Sequence, residues 1–245
     1  MKNTKLYPIK NTLCFVLCVY INFLSATGQL GGKNIRELSE KYDNLFTPSN
    51  QTFAIWSLIY TLLLLVLVGQ FIKKVQDPVL QTPLFMLSCF LNFSWIIAWQ
   101  QESIGISLLI MIGLLICLAR INKSIKSAPI NLLKITFGVY LGWICIATIA
   151  NVTTFLTSLH VPVNIEMQRQ ITQAIIIIGM GIVLWVASNL KNPSILLPVL
   201  WAFYGIYVKR QNDYPTIGIV AMGSCILIVI VSILYYLKTR YKPFI

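Results

Sequence analysis

The chain has 245 residues, of which 57% are hydrophobic and only 11% charged, and it carries a formal net charge of +12. A soluble domain needs roughly 25% charged residues to wet its surface, so this composition excludes a soluble globular fold. The basic excess does not point to nucleic acid either, because nearly all nineteen Lys and Arg lie between apolar runs or at the termini, as solvated caps and orientation signals and not as one patch.

The apolar runs are near 20 residues long, the length that a hydrocarbon core of about 30 Å demands at 1.5 Å rise per residue. In lipid the backbone must satisfy its own hydrogen bonds, and the runs show no period-2 alternation, so they read as helices and not as barrel strands. The first, Leu13–Leu30, follows a basic start of Lys2, Lys5 and Lys10. Ala26 and Gly28 would suit a signal-peptide cleavage site. Asn22 interrupts the run, however, and an uncleaved span is expected. The one sizeable loop, Gly31–Asn50 with Pro48, comes next. Span two is Gln51–Ile72, ending at Lys73 and Lys74. Span three, Pro83–Gln100, joins span four, Ser103–Ala119, through a very short turn.

A basic connector of Arg120, Lys123, Lys126 and Lys134 leads to span five, Ile135–Leu156. After a polar loop with His160, Pro162, Glu166 and Arg169 come span six, Ile171–Leu190, and the short span seven, Ser194–Val208, which contains Pro198. Span eight, Thr216–Leu237, carries Tyr235 and Tyr236 where an interfacial aromatic belt would lie. The predicted fold class is all-α, a polytopic transmembrane helical bundle of about eight spans. Thirteen Lys and Arg fall on the side that holds both termini and six on the other, so the positive-inside rule predicts that both termini are cytoplasmic.

The usual chemical constellations are missing. No span centre carries Asp, Glu, Lys, Arg or His. Such groups cost about 2.5–3.5 kcal/mol each at a helix centre on insertion scales, and pumps and proton-coupled carriers keep them for function. The pattern holds no nucleophile–base pair, phosphate loop or metal-ligand cluster. All six cysteines lie in apolar runs, where they read as small buried hydrophobes, with neither disulfide nor zinc spacing. His160 sits alone in a loop. No catalytic residue, cofactor or metal is expected.

What the sequence does offer is a set of aromatic and amide stripes. At 100° per residue, Phe53, Trp56 and Tyr60 fall within about 60° on span two. Phe85, Ser88, Asn92, Trp95 and Trp99 share about 80° on span three, and Tyr140, Trp143, Ala147 and Asn151 do the same on span five. The opposite side of span five carries Gly138 and Gly142, a GxxxG that admits a close neighbour. Two readings stay open. Either the rings fill helix–helix contacts, the Asn residues bond between helices and Trp99 is a belt residue, or the three stripes converge on one cavity. In that cavity a planar apolar ligand would stack on indole and phenol faces while an amide fixes its orientation.

The same segments resemble the tryptophan-rich sensory protein family, TspO, also called translocator protein. LFTPSNQTFAIWSLIY (Leu45–Tyr60) resembles the family's proline-containing approach to its second helix followed by W-x-x-x-Y; LNFSWIIAW (Leu91–Trp99) is similar to its N-x-x-W motif; YLGWICIATIAN (Tyr140–Asn151) resembles its Y-x-x-W…A-x-x-x-N pattern. The resemblance covers roughly residues 13–158. It implies a five-helix unit at residues 1–158 with three additional transmembrane helices at 159–245, as in a longer bacterial-type branch. The chain has Pro48 where short members have paired prolines, and Val139 where they have proline. VTTFLTSLH after Asn151 lacks the Tyr and basic residue of the proposed cholesterol motif, so sterol binding is not implied.

The resemblance implies a membrane receptor or regulator, not an enzyme, that binds a flat, porphyrin-like ligand in an intrahelical pocket. The residues carried over are Trp56, Tyr60, Asn92, Trp95, Tyr140, Trp143 and Asn151, with rings to stack and amides and phenols to hydrogen-bond. A small-molecule transporter, separable by flux in sealed vesicles, and a structural membrane subunit are the alternatives. The implied partners are the lipid bilayer and the small molecule, with no nucleic acid and a homo-oligomer left open. A bacterial inner membrane fits the Lys-, Asn- and Ile-rich composition.

Overall fold

The computed structural model describes residues 6–32, 35–72, 74–160 and 162–240, apart from the side chains of residues 35, 36, 39, 235, 236 and 238–240. Lys2, Lys5, Lys33, Lys73 and Lys242 of the charge count lie outside the described residues, as do the side chains of Arg36, Lys238 and Arg240 and the belt rings of Tyr235 and Tyr236. Among the described residues all regular structure is helical. In chain order the helices are α1 (Tyr7–Ala26), α2 (Ile35–Lys41), α3 (Ile55–Phe71), α4 (Leu84–Gln100), α5 (Ile104–Ser124), α6 (Leu132–Ser158), α7 (Ile165–Asn189), α8 (Leu196–Arg210) and α9 (Pro215–Arg240).

Every helix but α2 matches one of the apolar runs. Six are long and apolar enough to cross a membrane: α1, α3 with the 3-10 turn before it, α5, α6, α7 and α9. α4 is an apolar helix of 17 residues. α8 has only 15 residues, about 22 Å at 1.5 Å per residue. The 3-10 turn Pro193–Ile195 runs directly into it and adds about 6 Å. Pro198 falls in the first turn of α8, where N–H groups have no intrahelical acceptor, so the helix starts with it unbroken. The outer faces expose large apolar side chains such as Leu109, Ile178, Trp185 and Ile219. Water would penalise such a surface, whereas lipid is its solvent. The chain is a multi-pass integral membrane protein built as a helical bundle.

Three local features depart from the sequence reading. Pro8 lies in the first turn of α1 and starts it at Tyr7, earlier than the predicted Leu13, while Gly28, Gly31 and Gly32 take positive φ after its end. The first loop holds the short helix α2, whose Leu38 is buried against Trp99 and Ile104. Lys134, placed in the solvated connector by the sequence, is instead buried in the first turn of α6. Its ammonium donates to the carbonyl oxygens of Lys126 and Ala128 at 2.8 and 2.6 Å. The Asn131 side chain accepts from the Lys134 N–H at 2.9 Å and caps this early helix start.

α6 is the axis of the bundle, packed against α3, α5, α7 and α8. Its GxxxG meets the turn that leads into α8. A Cβ on Gly142 would lie 2.0 Å from the Ile195 carbonyl oxygen and 2.7 Å from Pro198, and one on Gly138 would lie 2.6 Å from the Asn192 amide nitrogen. Asn192 in that turn donates to Asn122 of α5 at 3.0 Å and to the Lys134 carbonyl at 2.8 Å. The turn before α8 is thus held against α5 and α6, with Ala202 and Phe203 of α8 fully buried.

Candidate functional site

The fold turns the stripes of α3, α4 and α6 toward one another. Trp56 is their meeting point. Its ring stacks on Tyr60 (centroids 5.6 Å apart, planes at 19°) and on Trp95 (6.0 Å, 27°), and it meets Tyr140 and Trp143 edge-on at 6.2 and 6.1 Å. Phe53 meets Trp143 edge-on at 6.2 Å, and Trp99 lies 6.2 Å from Trp95. Ring quadrupoles favour such offset and edge-to-face pairs at about 4.5–7 Å.

Two amides fix this cluster at different depths. Asn92 is fully buried, and its Oδ1 accepts from Tyr60 OH at 3.2 Å, from Asn22 Nδ2 at 2.9 Å and from Cys18 Sγ at 3.2 Å. Its Nδ2 donates to Tyr140 OH at 2.9 Å. One side chain thereby ties α1, α3, α4 and α6 together. At the other level, Asn151 Oδ1 accepts from Trp95 Nε1 at 3.2 Å and Ser107 Oγ at 3.1 Å, while its Nδ2 donates to the Ala147 carbonyl at 2.9 Å.

Beside Asn151 the rings enclose a cavity of about 50 Å³. Its wall is made of Phe53, Trp56, Trp95, Trp99 and Trp143, with Asn151 and Thr154 from α6 and with Thr47 and Pro48 closing it from the first loop. Of the seven residues singled out in the sequence, Trp56, Trp95, Trp143 and Asn151 line the cavity. Tyr60, Asn92 and Tyr140 belong to the same cluster but form the hydrogen-bonded layer next to it. Trp99, which the packing reading treats as a belt residue, is buried at 6% exposure and lines the wall. Its place on the arc of Asn92 and Trp95 was the available signal. Thr47, Thr154 and the Asn22 donor of α1 were not singled out as site residues.

Polar satisfaction around the cavity is uneven. Trp95 Nε1 has its acceptor, whereas the indole N–H groups of Trp99 and Trp143 are buried with no acceptor among the described residues. Among the described residues no charged side chain lines the wall.

Residues 43–54 form the roof, and α8 holds it. Arg210 is buried and donates to the carbonyls of Asn44 (2.6 Å) and Leu45 (3.3 Å) and to Asp43 (3.3 Å), while Lys209 pairs with Asp43 at 2.8 Å. Ser49 N–H donates to the Gly205 carbonyl at 3.1 Å, and a Cβ on Gly205 would lie 2.0 Å from Thr52 Oγ1. Trp201 Nε1 donates to the Thr52 carbonyl at 2.8 Å. Trp201 thus reaches the pocket roof although it lies on α8, outside the helices that carry the stripes. On the opposite side, Lys41 and Tyr42 both donate to Glu102 in the α4–α5 turn. The bond to Glu102 raises the Lys41 ammonium above its usual value, and burial, foremost, raises the Tyr42 phenol.

A lipid-embedded helical bundle with an indole-walled cavity under its first loop defines the class: a multi-pass membrane protein with an internal aromatic site. The chain belongs to the TSPO-like protein family, whose sequence profile matches residues 8–235. The match therefore runs past residue 158 and takes in the C-terminal helices as well as α3, α4 and α6, which carry the motifs. Neither a curated protein nor a solved structure matches the chain.

Proposed function

We propose that this TSPO-like membrane protein is a receptor or regulator that binds a flat, apolar, porphyrin-like ligand between α3, α4 and α6, without catalysing its conversion. The observation that carries the reading is the convergence of three separate stripes on one cavity walled by four indoles. Indole faces give a planar ligand large contact area, and Asn151 supplies a polar edge. Trp56, Trp95, Trp143 and Asn151 are the contact residues of this proposal, and Tyr60, Asn92 and Tyr140 hold them in place. Drug-sized ligands occupy roughly 300–1,000 Å³. A cavity of about 50 Å³ must therefore widen, through parting of the rings or lifting of the roof. The protein is further assigned to a bacterial inner membrane with both termini cytoplasmic, which sets the roof toward the outer side.

One observation favours a second reading. The rings satisfy one another as stacked and edge-on pairs, as a purely structural core would require. Titration of the purified protein with protoporphyrin IX, followed by tryptophan quenching, separates the two. Saturable quenching is expected, and Trp95→Ala and Trp143→Ala should each weaken it by about 5–150-fold, by analogy with about 1–3 kcal/mol per stacked base. Trp185→Ala, on the lipid face of α7, is the control. Folded variants that bind as tightly as the parent would establish the packing reading instead.

A further inference from the structure

We infer that the end of the bundle that carries both chain termini is a contact surface for anionic phospholipid headgroups, densest where the α5–α6 connector meets the α7–α8 turn. The inference stands apart from the pocket. Thirteen of the nineteen Lys and Arg lie at this end, with Asp77 as its one acidic residue, whereas the opposite end holds six of each sign. The entire net charge of +12 therefore belongs to one end. Helix insertion accounts for the Lys and Arg but not for the missing acids, because Asp and Glu contribute little to orientation. An end that excludes acidic residues while it gathers cations is built to meet anions.

Among the described residues the ion pairs all lie at the opposite end: Lys41 with Glu102, Arg169 with Glu166, and Lys209 and Arg210 with Asp43. At the terminal end no described Lys or Arg pairs with a carboxylate, and Asp77 accepts from the Val79 N–H at 2.9 Å. Lys10, Lys74, Arg120, Lys123 and Lys191 are exposed there. Asn192, next to Lys191, donates to Asn122 of α5 and to the Lys134 carbonyl, which brings the turn up to the connector. The Lys134 ammonium is turned inward onto the Lys126 and Ala128 carbonyls and curls the connector round itself. Cations gathered in this way repel one another until an anion neutralises them. Their placement selects the anion. Every described cation at this end lies within four residues of a helix end, where headgroups begin, and they are spread over four chain segments. A headgroup layer meets all four at once, whereas nucleic acid or an acidic protein requires one continuous patch.

The test is native mass spectrometry of the protein released from detergent micelles that hold equimolar phosphatidylglycerol and phosphatidylcholine, with inorganic phosphate and a short oligonucleotide as competitors. Phosphatidylglycerol is expected to be retained in preference, the preference falling as ionic strength rises, with neither competitor displacing it. One Lys beside an anionic surface is worth about fivefold in affinity. Lys123→Gln, Lys126→Gln and Lys191→Gln should each lower the preference by about that factor, and Arg169→Gln, at the opposite end, should leave it unchanged. The melting temperature of the unmutated protein gives a second readout that does not depend on variant folding: phosphatidylglycerol should raise it more than phosphatidylcholine does. Equal retention of the two lipids, equal melting in both, or the same loss from Arg169→Gln as from the lysine variants would overturn the inference. Displacement of the lipid by inorganic phosphate would assign this end to free anions, and displacement by the oligonucleotide would assign it to a soluble polyanion; either result would overturn the inference as well.

Discussion

At the scale of single residues, the division of labour between Asn151 and Asn92 is the main result. Asn151 stands on the cavity wall, whereas Asn92 is enclosed by four partners on three other helices. Replacing Asn92 with Leu strands the Tyr60 hydroxyl in the core, at a cost of roughly 1–3 kcal/mol for an unsatisfied buried group, whereas Asn22 Nδ2 keeps its bond to the Cys18 carbonyl. Asn92→Leu is therefore expected to lower stability, read as earlier loss of helicity in denaturing detergent, and to weaken porphyrin binding less than the Trp variants do. The helical arcs in the sequence show which residues share a face. They do not show depth across the bundle, so Tyr60, Asn92 and Tyr140 could not be told from wall residues. Asn22 was visible only as an interruption of an apolar run, because its partner lies seventy positions away.

At the scale of elements, α8 acts as a clamp on the pocket roof. Arg210→Met removes donors to the carbonyls of Asn44 and Leu45 and the contact with Asp43. Hydrogen exchange of residues 43–54 is expected to accelerate, with exchange in α3, α4 and α6 unchanged; equal protection in the variant would show that the clamp does not hold the roof. The α6–α8 contact is equally specific. Gly142→Val would drive a side chain into the Ile195 carbonyl and lower the melting temperature, since overpacking costs about 1–3 kcal/mol or more. Gly181→Ala, with open space around it, is the matched control and should not lower it. The GxxxG pointed to a close neighbour but did not name it, because small residues specify proximity without identity. α2 escaped notice for a related reason, since seven residues of mixed polarity carry too little periodicity to stand out from a loop.

At the scale of the whole molecule, the helices were legible because lipid imposes length and hydropathy together. Their mutual arrangement was not, because nearly every face of a span is apolar and sequence polarity scarcely marks the inner side. The proposed orientation has a direct check. Cysteines introduced at Ser127 and Lys191 should label from the cytoplasmic side, and those at Asn50 and Asn212 from the opposite side. Labelling of Lys191 and Asn212 from one face would mean that α8 does not cross.

The claim that the three stripes enclose a ligand is tested most directly by photo-crosslinking with a diazirine-bearing porphyrin and mapping the adducts by peptide mass. The expected result is adducts within residues 47–56, 95–99 and 143–154, competed away by unmodified porphyrin. Adducts confined to the lipid-facing sides of α7 and α9 under the same competition would contradict it.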